Sequence, residues 1–410
     1  MEVMFPHCCG MDVHKKTVVV TVSHHPSEAC KAKMITRTYG TFTDELIAMR
    51  EWLTTEGVTH VAMEATGSYW KPVMNILEHS FVTWVVNPAL IKAFPGRKTD
   101  VKDSQWIADL LQHGLIRPSF IPDREQRELR EVITYRKSLI EERAREANRV
   151  QKVLEGANIK IAGVLSDILG ASGRAILSAL AQGETDPQKL ANLADPRVRA
   201  SYETLARALT GVSSENQRRL LMCQLDHIAH LDHKIELLDS EVAQRTAPLA
   251  ATRSKLDVIP GVKGRVCDTV LAFIGCNVDP FPSRRAISKW AGVAPGNKTS
   301  AGKRLSGRSQ PGCKLLRAAL VQAAWAASKQ KDSYFHAQFA RLAPRLGKKK
   351  AVLAVAHSIL EVIWSLLKYD TPYKDLGVDY FAKHDEEATV KRYLNRLKAL
   401  GYEVAAVKSA

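Results

Sequence analysis

Two long, strongly charged stretches, residues 123–156 and 213–244, restrict the fold more than any other feature of this sequence. In the first, Ile133, Ile140, Ala147 and Leu154 recur seven apart. In the second, Leu221, Ile228, Ile235 and Val242 hold one heptad position and Leu231 and Leu238 the other, with Gln224 as the polar exception. Such a period specifies long helices with one narrow apolar seam, and a seam must be buried against another helix. Ile and Val at the first position with Leu at the second favour a two-stranded coil. A helical coiled-coil region over residues 121–250 is therefore expected, with its seam as an intermolecular dimer contact; packing of the two helices inside one chain is the alternative. Between them, GETDPQ and ADP mark turns in an otherwise helical insert.

Ahead of the first long helix the pattern changes. GMDVHKKTVVVTVS is a β-branched run broken by charge, and MITRTYGTF, THVAMEATG and FVTWVVNP are β-branched or apolar runs of strand length, the last stopped by Pro88. DELIAMREWLTTEG, SYWKPVMNILEHS and VKDSQWIADLLQHG carry helical periodicity, the first and last ending in Gly57 and Gly114. Strands followed by alternating helices and strands predict an α/β domain over residues 5–120. Residues 251–370 hold LDVIPGVKGRVCDTVLAFIG, KLLRAALVQAAWAAS and KAVLAVAHSILEVIWSLL and are expected to be mostly helical. Residues 371–410 add a basic amphipathic helix and a tail. The fold class is thus α/β plus α, and 410 residues suffice for several separate cores.

Lys and Arg number 59 against 43 Asp and Glu, a net charge of +16, which suits a polyanionic partner such as nucleic acid. The excess is local as well as global: residues 281–317 contain nine basic side chains and no acidic one. Seven scattered cysteines without a CxxC pair point to reduced thiols of a cytoplasmic protein, with no structural zinc. Neither a signal peptide nor a run of eighteen apolar residues is present, so no export and no membrane span are expected.

Four carboxylates stand where an α/β domain would gather them: Asp12 near the start of one strand run, Glu64 at the end of another, and Asp100 and Asp103 three apart at a helix start. Oxygen-only ligands suit Mg²⁺, with Mn²⁺ the other choice, and a pair of such ions can clamp both oxygens of a phosphodiester displacement. Singly, each acid also reads as a turn cap, a lysine partner or a helix cap. His14, His113 and His357 lack a second ligand at metal spacing and are set aside. VIPGVKG has the form of a helix-hairpin-helix turn, whose glycines expose N–H groups to a phosphate, although a plain helix–helix turn has the same form. In GNKTSAGKRLSGRSQPG, glycines permit close approach to a phosphate, and Lys298, Lys303, Arg304 and Arg308 neutralise it. Ser300, Ser306 and Ser309 then become candidate nucleophiles. Composition does not choose among them, nor between an active-site loop and a basic loop that tracks a backbone.

Taken together and in order, GMDVHKK, AMEATGSYW, NPALIKAFPGRKTDVKDSQWIADLL, IPGVKG and APGNKTSAGKRLSGRSQPGCKLLRAAL resemble the DEDD transposases of bacterial insertion sequences, whose characterised members are guided by a bridge RNA. The resemblance implies an N-terminal RuvC-like, RNase H-type domain, a helical coiled-coil middle and a C-terminal transposase domain with a catalytic serine. By motif, it assigns metal binding to Asp12, Glu64, Asp100 and Asp103, and the nucleophile to Ser300 in NKTSAGK, with Ser306 second. The implied reaction is site-specific recombination through a covalent phosphoserine link to DNA. The implied partners are donor and target DNA, a guide RNA encoded by the element, and further copies of the chain, a homodimer assembling into a tetramer, in the cytoplasm at the nucleoid. Ser104 stands where the family usually has alanine, and Cys313 where asparagine is common. Two other readings compete: a metal-dependent RuvC-like junction endonuclease without covalent serine chemistry, and a non-catalytic nucleic-acid-binding protein.

Overall fold

The computed structural model describes residues 2–25, 33–91, 103–296, 298–300, 303–309, 311–384 and 386–403. The chain divides into two compact units, Met1–Arg124 and Glu125–Ala410.

The first unit is built on a five-stranded sheet of β1 (His7–Val13), β2 (Thr17–His24), β3 (Lys33–Gly40), β4 (His60–Glu64) and β5 (Val82–Val86), in the order β3-β2-β1-β4-β5. The run GMDVHKKTVVVTVS does not make one strand. It breaks at the charged His14–Lys16 turn into the β1–β2 hairpin, paired antiparallel with Val13 opposite Val18. β3 continues antiparallel on β2, whereas β4 and β5 run parallel to β1. Alternation along the strands divides the apolar side chains between two faces. Cys9, Met11 and Val13 join Val61 and Met63 in a core completed by Leu46, Met49 and Leu53 of α1 (Thr43–Thr55) and by Val73 and Leu77 of α2 (Trp70–Leu77). On the opposite face Cys8, Ala62 and Val86 pack with Ile91 of the short α3 (Pro88–Ile91) and with Ile107, Leu110 and Leu111 of α4 (Asp103–Gln112). Burial on both faces explains why these strands read as nearly continuous apolar runs.

Gly10 fixes how close α4 comes. A Cβ at this position would lie 2.2 Å from the Ser104 carbonyl oxygen and 2.3 Å from the Ala108 nitrogen, so the helix backbone rests directly on β1. Ser23 donates to Gln112 Oε1 at 2.5 Å, and Thr21 and Ser104 share a hydroxyl hydrogen bond of 2.8 Å. Since Ser23 pairs with Cys8 and Thr21 with Gly10, α4 runs antiparallel to β1, with its N-terminus toward Asp12.

The second unit opens with α5 (Arg124–Gly156), the first of the two long helices, and its partner is α9 (Glu215–Thr246). Leu139 of α5 packs with Leu231 and Ile235 of α9, and Val150 and Leu154 share a core with Leu221 and Ile228. Ion pairs Arg245–Glu128 and Arg136–Asp239, together with that between Arg143 and Asp232, set the two helices antiparallel. The heptad seam is thus closed within one chain. This corrects the expectation that it forms an intermolecular contact; four heptads of Ile, Val and Leu satisfy an antiparallel intrachain partner as well as a second chain. The insert between them, uninformative as sequence, forms α6 (Ala171–Ala181), α7 (Pro187–Ala191) and α8 (Tyr202–Leu209), whose Ile176, Leu177, Leu190 and Leu205 cover the Leu154–Leu221 end of the pair.

Beyond α9, α10 (Ala250–Asp257) and α11 (Arg265–Ile274) flank the VIPGVKG turn. α12 (Arg284–Trp290) precedes a two-stranded hairpin, β6 (Lys298–Ser300) and β7 (Lys303–Ser306), and then come α13 (Lys314–Ala327), α14 (Tyr334–Leu346), α15 (Lys348–Tyr369), α16 (Tyr380–His384) and α17 (Glu386–Ala399). α15 packs against α12, α13 and α14. It is long and apolar enough to cross a membrane by length and composition alone, but half of its apolar window is buried inside the protein, as in a core helix.

Candidate active site

β1 and β4 pair in parallel with Met11 opposite Met63. One residue further on, Asp12 and Glu64 therefore stand level at the carboxyl ends of neighbouring strands, which corrects the placing of Asp12 at a strand start: β1 begins earlier, at His7. Alternation turns both to the face covered by α4, the face of Cys8, Gly10 and Ala62. Adjacent strands lie ~4.8 Å apart, a spacing across which two carboxyl groups can share a cation. Asp103 begins α4 at the Asp12 end of that helix. Three of the four sequence-predicted acids thus occupy one edge of the first unit; Asp100 lies outside the described residues.

Each strand-end acid has a partner that the sequence reading did not assign. His14 Nε2 lies 3.0 Å from Asp12 Oδ2, and Thr66 Oγ1 donates to Glu64 Oε1 at 3.3 Å. His14, solitary by metal-ligand spacing, stands two residues beyond Asp12 and so on the same side of the extended chain, a spacing legible in the sequence. Among the described residues no three His, Cys, Asp or Glu side chains are grouped tightly enough to ligate one ion. The carboxylates share an edge and a hard-oxygen chemistry that suits Mg²⁺ or Mn²⁺, and His14 and Thr66 each engage only one oxygen of their acid.

In the second unit the basic segment is a hairpin rather than an open loop. Ser300 pairs with Lys303 and Thr299 with Arg304, with an irregularity in register between Lys298 and Thr299. For Lys298, Ser300, Lys303 and Arg304 the backbone alone is described. The base of the hairpin is clamped: Gly296 N donates to Gly307 O at 3.3 Å, and a Cβ on Gly296 would sit 2.0 Å from Arg308 O. Gly312 is tucked against Ala291 and Gly292 at the end of α12, where a Cβ would lie 2.3 Å from Gly292 N. Arg308 is exposed, and its N–H donates to Ser306 Oγ at 3.1 Å, so Ser306 acts as a turn residue. The glycines at the two ends of the segment serve close packing, while the basic residues and Ser300 lie between them.

The VIPGVKG turn also divides its glycines by role. Gly261, at φ +81°, backs onto α13, where a Cβ would meet Ala323 O at 2.1 Å, so its lack of a side chain serves helix packing. Gly264, at φ +51°, has open space at the same position and remains free to approach a ligand.

Comparison with known families now bears on both halves of this arrangement. Residues 9–159 match a family model described as transposase, of the DEDD type of IS110, and residues 253–340 match the model described as transposase of the IS116/IS110/IS902 family. The chain belongs to the IS110 family of transposases. The first match takes in the sheet, its strand-end acids and α5; the second takes in the VIPGVKG turn, the basic hairpin and α13. An IS110-family transposase is an insertion-sequence protein that acts on DNA, which accounts for the excess of positive charge. No curated protein matches the chain.

Proposed function

We propose that this IS110-family transposase cuts and rejoins DNA by covalent serine catalysis assisted by a carboxylate-bound divalent metal. The observation that carries the reading is the level placement of Asp12 and Glu64 on adjacent parallel strands, with Asp103 at the facing helix start. The strand order β3-β2-β1-β4-β5, with β2 antiparallel, supports a RuvC-like, RNase H-type assignment of this unit.

Asp12, Glu64 and Asp103, with Asp100, would hold Mg²⁺ or Mn²⁺. When bound, the metal supplies Lewis-acid stabilisation of charge developing on phosphate oxygens. His14 orients Asp12 through its hydrogen bond to Oδ2. Ser300 attacks the phosphorus of a DNA phosphodiester; the serine–phosphorus ester forms, the deoxyribose oxygen leaves and takes up a proton, and the serine proton is lost. Attack by a second deoxyribose hydroxyl on that ester reverses the sequence and joins new partners. Lys298, Lys303, Arg304 and Arg308 neutralise the reacting phosphate and its neighbours. The remaining charge is read as the surface for donor and target DNA and for an element-encoded guide RNA. Homodimers assembling into a tetramer would bring the acids of one protomer to the hairpin of another, in the cytoplasm at the nucleoid.

Strand cleavage of the element's donor DNA in the presence of its flanking RNA tests the metal half. Asp12→Asn and Glu64→Gln are each expected to lower the cleavage rate by at least ~100-fold, as is chelation of the metal, with Mn²⁺ restoring the wild type only. Full cleavage in chelator, or by Asp12→Asn, would refute it. Unchanged cutting by Ser300→Ala with no joining would favour the junction endonuclease instead.

A further inference from the structure

Beside the basic segment, the second unit carries a cavity of about 360 Å³ that the reaction above does not use. It lies between α14, α15 and the chain that follows α15. Its volume falls at the small end of ligand sites, ~300–1,000 Å³, which suits one nucleotide and excludes a duplex.

The aromatic wall comes from two places. Tyr334 and Phe335 open α14, with Phe335 wholly buried as the floor and Tyr334 half-buried. Tyr373, also half-buried, comes from the strap after α15, and its ring is stacked near-parallel to Phe335 at 11°. The strap is held in place by one carboxylate. Asp375 Oδ1 accepts from the backbone N–H of Tyr334 at 2.9 Å and of Gly377 at 2.8 Å, while Oδ2 accepts from the Tyr373 hydroxyl at 2.8 Å. An ion pair between Lys255 and Asp370, itself in the left-handed region at φ +52°, anchors the strap's start. The cavity is therefore preformed.

The polar wall is unusual for α15. The buried residues of this helix are apolar, yet Ser358, Glu361 and Ser365, at spacings of three and four on one face, line the cavity. Ser358 Oγ already accepts from Gln338 Nε2 at 2.8 Å, and the Glu361 carboxylate, 35% exposed, retains acceptor capacity beyond its 3.3 Å contact with His357. Arg284 and Lys374 are the basic residues of the lining, and among the described residues neither makes an ion pair. Arg284 also belongs to the 281–317 segment that lacks acids. Outside the cavity Tyr334 stacks on Phe381 at 5.1 Å, and the Arg341 guanidinium lies 4.9 Å from the Phe381 ring centroid. Aromatic faces interleaved with cations are the surface on which single strands lie.

We infer that this cavity binds one unstacked nucleotide of a single strand, with the base against Tyr334 and Tyr373, an amino-bearing base edge toward Glu361, and the phosphate at Arg284 and Lys374. The inference rests on the reading of the protein as a nucleic-acid enzyme. A strand opened during recombination and an unpaired stretch of RNA present the same chemistry.

The test uses full-length protein and oligothymidylate carrying one 2-aminopurine, whose amino group suits Glu361 and whose fluorescence is quenched by stacking, with a terminal fluorescein to report binding. An oligouridylate version is run in parallel. Wild type is expected to bind and to quench; Arg284→Ala and Tyr373→Ala should weaken binding about fivefold or more and remove most of the quenching. Tyr373→Phe keeps the ring and should keep the quenching. Arg284, on the surface and unpaired, guards against a Tyr373 variant that merely loosens the strap. Quenching with DNA, RNA or both supports the site and names its source. Binding by anisotropy without quenching on either strand overturns the site and leaves the nucleic-acid reading intact. Failure to bind either strand overturns both.

Discussion

At the scale of single residues, two side chains test whether the geometry of the first unit matters. Any Cβ at position 10 meets backbone atoms of α4, which cannot swing aside as a side chain would. Gly10→Ala is expected to cost ~1–3 kcal/mol by overpacking, measured by denaturant unfolding, and to lower strand cleavage by displacing Asp103. His14→Ala leaves the fold intact, since His14 is exposed and its bond to Asp12 is local. It should shift the Mg²⁺ concentration needed for cleavage while leaving the melting temperature unchanged. In the second unit Arg136, 3% exposed, bonds to Asp239 at 2.8 Å and reaches Asp268, itself 6% exposed. Asp268 and Asp239 keep Arg253 and Arg265 as partners, so replacing Arg136 by alanine removes charge-assisted hydrogen bonds without stranding either acid and should cost ~1–3 kcal/mol of unfolding free energy. Glycine positions were visible in the sequence but their reasons were not, because Gly10, Gly261 and Gly312 answer to backbone atoms 20 to 98 residues away.

At the scale of elements, the α5–α9 pair sets the stability of the second unit. Asp232 of α9 joins Arg143 of α5 and Arg174 of α6. Partial burial raises its pKa, and the hydrogen bonds from the two guanidinium groups outweigh that, leaving the carboxyl below its ordinary 3.8. A lowered carboxyl stabilises the fold above the unfolded-state value and loses that contribution as pH falls through the folded-state value. Stability of the helical unit should therefore decline on acidification below about pH 4, and Asp232→Asn should flatten that decline, as read from melts between neutral and acid pH. The α9 N-terminus carries a capping box in which Ser214 Oγ accepts from Gln217 N and Gln217 returns the bond. The helix bounds were legible because caps and heptads are local signals. The partner of the seam was not, because Ile and Leu at heptad positions specify that a helix is covered but not which helix covers it.

At the scale of the whole molecule, the sequence carried the α/β class of the first part and the helical class of the rest, since strand and helix periods are properties of short windows. The charged break in GMDVHKKTVVVTVS was visible, but not that its two sides pair as a hairpin, nor the pairing of β6 with β7, nor the level placement of Asp12 and Glu64, all of which depend on strand register. The 284–376 cavity was likewise out of reach, being assembled from three segments that show no common motif. The central claim joins the two units: acids of the first and Ser300 of the second act on one phosphodiester. The most direct measurement is a denaturing gel of full-length protein incubated with the element's flanking RNA, labelled donor and target DNA and Mg²⁺. The account predicts a DNA-linked protein band in wild type that is absent in Ser300→Ala and in Asp12→Ala. Free cleaved DNA in both wild type and Ser300→Ala, with no linked protein in either, would contradict it.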